Sequence, residues 1–161
     1  MSSKILILVT LLVSANVLAG FGIPNQPSPG ETRLRQMEED ARIASEKADP
    51  KWYTDHLAES WVLVSHREHI TLSKSEALAL LAKASSASTS STSSPIQVTK
   101  EEMKVYLVGK TGIVSYRQKL SGGDAQPPNS RVEYVTDVFS ETPQGWVLVY
   151  TQEDSANPEV A

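Results

Sequence analysis

The chain has 161 residues, 15 basic and 19 acidic side chains, a formal charge of −4 and no cysteine. That length suits one domain. The absence of cysteine excludes disulfides, thiolate metal ligands and a cysteine-borne lipid anchor, and no basic stripe marks a nucleic-acid partner.

The first nineteen residues form a separate object. Lys4 precedes the apolar run Ile5 to Val13, and Val17-Leu18-Ala19 supplies small residues for a peptidase. This pattern predicts a signal peptide over residues 1–19, cut after Ala19. It leaves 142 residues carrying 14 basic and 19 acidic side chains, a charge of −5. The expected location is periplasmic or extracellular, with no membrane association after cleavage. The competing reading is an uncleaved anchor over Ile5 to Ile23, which Ser14, Asn16, Gly20 and Gly22 weaken.

Residues 20–30 are rich in Gly and Pro and predict a flexible spacer. Leu34, Met37, Ala41, Ala44 and Ala48 then recur along one helical stripe. Arg33, Arg35, Glu38, Glu39, Arg42 and Glu46 occupy the other sides. Asp49-Pro50 ends this helix and opens a second over Lys51 to Ala58, with aspartate as N-cap and proline at the first helical position. Trp61 to Ser65 reads as a strand, His66 to His69 as a turn and Ile70 to Leu72 as the return. Ser73 and Glu76 make a capping box for a helix over Lys74 to Ala84.

The Ser/Thr-rich segment 85–95 buries almost nothing apolar and predicts a loop within the domain. Ile96 to Val108 reads as one long strand or two, Gly109 to Gly112 as a tight turn and Ile113 to Leu120 as an alternating strand. Ser121 to Ser130 is a polar loop. Arg131 to Ser140 and Trp146 to Gln152 form a hairpin, and residues 154–161 a tail. Helices first, then an antiparallel meander, predict an α+β domain with helices on one face of a curved sheet.

The pieces Ala48-Asp49-Pro50, Trp61 to Ser65, Val105 to Gly109, Ile113 to Arg117 and Tyr134 to Glu153 together resemble the SnoaL-like/DUF4440 group of the nuclear transport factor 2-like (NTF2-like) superfamily. The resemblance spans residues 31–153. The Ser/Thr-rich insertion and a hairpin turn without glycine (Arg67-Glu68) depart from it. It implies a cystatin-like cone: a bent antiparallel sheet wrapping a long helix, with one pocket at the open end and dimers through the sheet. The superfamily includes ketosteroid isomerase-like and polyketide cyclase enzymes and many non-catalytic binding or assembly domains, so fold alone leaves function open.

Strand alternation places Arg131, Glu133, Val135, Asp137 and Phe139 on one face, and Ile113, Ser115, Arg117 and Lys119 together on one face of the neighbouring strand. Trp146, Leu148, Tyr150 and Gln152 share a face in the last strand. By resemblance, Arg117 and Asp137 look inward, as an ion pair in the cone's mouth. The alternative is a solvated pair on the outer face. Tyr150 and Gln152 would offer a hydroxyl and an amide to a ligand, Tyr53 would line the pocket, and Trp146 would supply core packing.

His66 and His69 lie at a turn with no third ligand at a telling spacing, so a solvated turn is expected rather than a metal site. No G-x-S-x-G elbow or phosphate-binding glycine loop is present. The expected function is binding of a small organic ligand, without cofactor and without established catalysis. One alternative is an isomerase- or cyclase-like enzyme in which Asp137 abstracts a proton next to a carbonyl. In that reading Tyr53 or Tyr150 stabilises the enolate. A neighbouring Arg117 would keep Asp137 ionised, which favours binding over catalysis. The other alternative is a structural dimerisation domain.

Overall fold

The computed structural model describes residues 26–66, 68–88, 94–123 and 131–156. The signal-peptide reading of residues 1–19 and most of the spacer lie outside these. Helix α1 runs Pro29–Lys47, α2 Pro50–His56 and α3 Lys74–Ser88. The strands are β1 Leu57–Ser65, β2 Ile70–Ser73, β3 Ser94–Val108, β4 Thr111–Gly123, β5 Arg131–Thr142 and β6 Gly145–Ser155.

Each helix start has a local cause. Ser28 caps α1, its Oγ accepting from the Glu31 amide at 3.2 Å. Asp49 caps α2 through the Lys51 amide at 2.9 Å, with Pro50 at the first helical position. At α3 the Ser73 amide donates to Glu76 Oε2 at 2.8 Å, and the Glu76 amide to Ser73 Oγ at 3.4 Å, the reciprocal box expected from S-x-x-E. The Lys74 ammonium reaches back to the Thr54 and Leu57 carbonyls at 3.1 and 2.8 Å and so holds the end of α2.

One curved, unclosed six-stranded sheet has the order β2-β1-β6-β5-β4-β3. The α+β class and the wrapped helix are as expected, but the sheet is not wholly antiparallel: β1 runs parallel to β6. The β1–β2 hairpin joins the β3–β6 meander along that seam. Several boundaries also differ. Helix α1 begins at Pro29, inside the expected spacer; α2 ends at His56 and β1 begins at Leu57, ahead of Trp61; α3 continues to Ser88 and β3 starts at Ser94, into the expected loop; β4 runs on to Gly123 and β5 to Thr142; and β6 continues through Asp154 to Ser155.

The concave face holds the core. Leu34 and Met37 of α1 pack on Trp61, Val114, Tyr116, Val135, Phe139 and Leu148. Gly112 lets α1 approach: a Cβ there would fall well inside contact distance of Leu34 Cδ1 and 3.3 Å from Trp146 Cζ3. Trp146, expected in the core, packs against it partly buried. Among the described residues, no helix is long and apolar enough to cross a membrane.

Candidate functional site

A cavity of about 190 Å³ lies between α1, α2 and the concave face of the sheet. Trp52, Tyr53, Trp61, Tyr116 and Phe139 give it an aromatic wall, and Glu38, Lys100, Asp137 and Glu153 give it charge.

Asp137 enters from the middle of β5, only 4% exposed. The Tyr116 hydroxyl donates to its Oδ2 at 2.8 Å, and the Thr151 hydroxyl to its Oδ1 at 2.5 Å. Trp61 Nε1 donates in turn to Thr151 Oγ1 at 3.2 Å, which orients that hydroxyl. Both carboxylate oxygens are thus supported, as burial of a charge requires.

Facing it from α1 is Glu38, 1% exposed. Lys100 Nζ binds Glu38 Oε2 at 2.5 Å and the Glu38 carbonyl at 3.0 Å, with the Tyr116 ring 4.4 Å from the ammonium. Glu38 Oε1 has no hydrogen-bond partner. Burial, then the charge of Asp137, push the Glu38 carboxyl up to about 8 despite the opposing pull of Lys100. At neutral pH Glu38 is therefore mostly an acid. Burial also raises Tyr53, against a hydrogen bond with Ser45, and raises Tyr116 well above an ordinary phenol.

A second polar group extends from the cavity wall. Arg131 pairs with Glu133, and reaches Glu68 at 3.0 Å and Glu153 at 3.9 Å. Burial and the charge of Glu133 push Glu153 up to about 7, with Arg131 pulling the other way.

The expected site residues separate. Tyr53 and Asp137 line the cavity. Arg117 does not: it is paired with Tyr134 on the outer face, while Val114 and Tyr116 on the alternate positions of β4 look inward. Arg117 binds Glu101 at 2.6 Å instead. The inward Arg117–Asp137 pair is therefore corrected, because the two residues have opposite parity across the β4–β5 ladder.

Tyr150 and Gln152 are also outside the cavity. Val138 pairs with Tyr150 but Phe139 pairs with Leu148, so Val149 is the extra residue of a β-bulge. The bulge splits the expected face: Leu148 stays inward, Tyr150 and Gln152 turn out, and Thr151 and Glu153 take the inner positions. The Tyr150 hydroxyl binds Gln152 Oε1 at 3.3 Å.

A matching bulge on β3, between Glu101 and Lys104, has Glu102 at φ 55°. Arg35 on α1 donates to the Met103 carbonyl there at 3.3 Å.

Glu38 is the residue the sequence reading assigned to the solvated sides of α1. Its signal was present: Glu38 stands four residues after Leu34 and three before Ala41, inside the apolar stripe. Lys100 and Thr151 carried no comparable mark. Of the turn histidines, His66 Nδ1 lies 2.9 Å from Asp154 Oδ1. Among the described residues no cluster of three or more His, Asp or Glu is placed to hold a metal.

A curved, unclosed sheet wrapped around a long N-terminal helix, with a cavity between them, has the architecture of an NTF2-like, cystatin-like cone. Solved structures agree. An NTF2-like protein from Cytophaga hutchinsonii is 12% identical with a TM-score of 0.64, over 77% of this chain and 96% of that one. A candidate dehydratase of the NTF2-like family from Streptomyces avermitilis is 20% identical, TM-score 0.64, over 78% and 94%. An uncharacterised cystatin-like protein from Caulobacter vibrioides is 7% identical, TM-score 0.65, over 82% and 93%. At these identities the likeness is one of fold. No protein-family model and no curated protein matches the sequence.

Proposed function

We propose that this is an exported binding protein whose cone cavity takes a small organic ligand, about one ring in size, without turning it over. One observation carries the reading. Among the described residues, the buried side-chain polar atoms without a hydrogen-bond partner are Glu38 Oε1 and Trp52 Nε1, and both residues line this one cavity. Orphaned buried polar atoms are uncommon in folded proteins and call for a partner. A cavity near 150 Å³ lined by apolar groups holds benzene, so about 190 Å³ suits a single substituted ring. The features of Met1 to Ala19 support export. Thermal shift against a panel of single-ring compounds tests the proposal. A dose-dependent rise that is lost on filling the cavity by Ala41→Phe is expected; no shift with any ring compound overturns it.

An isomerase- or cyclase-like enzyme is the second reading, favoured by two facing carboxyl groups of which one is held as an acid. A neighbour described as a candidate dehydratase supports the same direction. Against it, both Asp137 oxygens already accept hydrogen bonds, which leaves a poorer base. Turnover of a ring ketone that Asp137→Asn abolishes would establish it; turnover unchanged in that variant removes Asp137 from the chemistry.

The outer sheet face, with Tyr106 and Tyr134 more than half exposed, supports a homodimer through the sheet. Sedimentation showing a monomer at high concentration would overturn that.

A further inference from the structure

Resting on the small-ligand reading, we infer that the ligand is a cationic amine on a single ring, and that its ammonium donates to the unpartnered Glu38 Oε1. The geometry behind this is the commitment of the cavity's charges. Glu38 of α1, Asp137 of β5 and Glu153 of β6 present three carboxyl groups to the cavity; Lys100 of β3 and Arg42 of α1 present two cations. Neither cation is free. Lys100 is bound to Glu38 Oε2 and its main-chain carbonyl beside the Tyr116 ring. Arg42 bonds Glu39 at 2.6 Å and Glu46 at 2.7 Å. Each Asp137 oxygen already accepts one hydrogen bond, from Tyr116 and from Thr151. Among the described buried carboxyl oxygens that line the cavity, Glu38 Oε1 is the one left without a hydrogen-bond partner.

The groups around Glu38 also say which donor fits. Lys100 binds one of its oxygens, and Asp137, Tyr53 and Tyr116 border the same space. With both carboxyl groups ionised, the Glu38–Asp137–Lys100 trio carries one uncompensated negative charge. A proton on Glu38 neutralises it, which is why that carboxyl is raised to about 8. An ammonium at Oε1 neutralises it equally well. The exchange balances: Glu38 gives its proton to solvent, an ammonium N–H takes its place at the oxygen, and the cavity's net charge is unchanged. The aromatic wall of Trp52, Tyr53 and Trp61 offers π faces to the cation and packing to the ring. Trp52 Nε1, the second orphan, donates to an acceptor on the ligand. Anionic ligands meet three carboxyl groups with no uncommitted cation, and neutral ones leave the Glu38 proton where it is.

The test is titration calorimetry on the full chain with benzylamine, benzyl alcohol and benzoate, in two buffers of different ionisation enthalpy at pH 7. Benzylamine should bind roughly tenfold tighter than benzyl alcohol, the margin of one charge-assisted hydrogen bond. Its enthalpy should differ between buffers by an amount corresponding to release of up to about one proton. Glu38→Gln should lose the proton release and most of the preference for the amine; circular dichroism would check that it folds, and the wild-type buffer dependence needs no variant. Benzyl alcohol or benzoate binding as tightly as benzylamine, or benzylamine binding with no proton released, overturns this inference and leaves the small-ligand reading intact. Failure of all three probes to bind overturns both.

Discussion

The Tyr116 hydroxyl holds Asp137 at 2.8 Å although the two are not cross-strand partners: Tyr116 pairs with Val135, and Asp137 with Val114. The bond runs diagonally across β4 and β5, within reach of a long aromatic side chain. Tyr116→Phe keeps the ring and removes only the donor. It is expected to destabilise the protein by about 1–3 kcal/mol, the cost of leaving a buried acceptor under-supported. Denaturant unfolding measures this, and a double-mutant cycle with Thr151→Val should show coupling between the two donors.

Stability should fall as pH rises from the ordinary carboxylate range toward 8. Glu38 titrates near 8 in the fold and near 4.5 when unfolded, so between those values the folded state binds the extra proton and loses ground as pH increases. Glu153, raised to about 7, acts in the same direction up to its own folded value. The slope for one such group is at most about 1.4 kcal/mol per pH unit. The lowered carboxyls of Glu39, Glu46, Asp55 and Glu76 act oppositely, with stability lost below their unfolded values. Urea midpoints across pH 4–9 should therefore peak near pH 5. Glu38→Gln should flatten the fall, and a wild-type midpoint that rises from pH 5 to 8 contradicts this assignment.

Arg117→Ala should cost less than about 1 kcal/mol and leave ligand binding unaltered, because Arg117 forms a part-exposed pair with Glu101 on the outer face. Asp137→Asn should alter binding. Equal effects of both on ligand affinity would place Arg117 at the cavity after all.

Gly112→Ala should destabilise by about 1–3 kcal/mol through overpacking, since the added methyl meets Leu34 and Trp146 where α1 crosses β4. Combined with Leu34→Ala, itself costly at a fully buried position, the loss in a thermal melt should be smaller than the sum of the two single losses, because the truncated side chain makes room for the added methyl.

Much of the fold is legible along the chain. The Asp49-Pro50 break, the Ser73/Glu76 box and the hairpin around Glu141 to Gly145 are local chemistry, and each stands where the residues put it. The site is less legible. Asp137 and Tyr53 stand out by type and position, whereas Glu38 reads as one more helix charge. A carboxylate inside an apolar stripe looks like its solvated neighbours until a sheet closes over it.

Capping and alternation act over a few residues, so the α+β class, the starts of α2 and α3, and the two faces of the unbulged strand β5 follow from the chain alone. Tertiary structure alone decided which face is inner. An unpaired Val149 turns Tyr150 and Gln152 outward and brings Thr151 and Glu153 into the cavity. Opposite parity across β4 and β5 sends Arg117 out while Asp137 goes in. Both outcomes depend on pairing between strands, and a one-residue shift in register exchanges one face for the other.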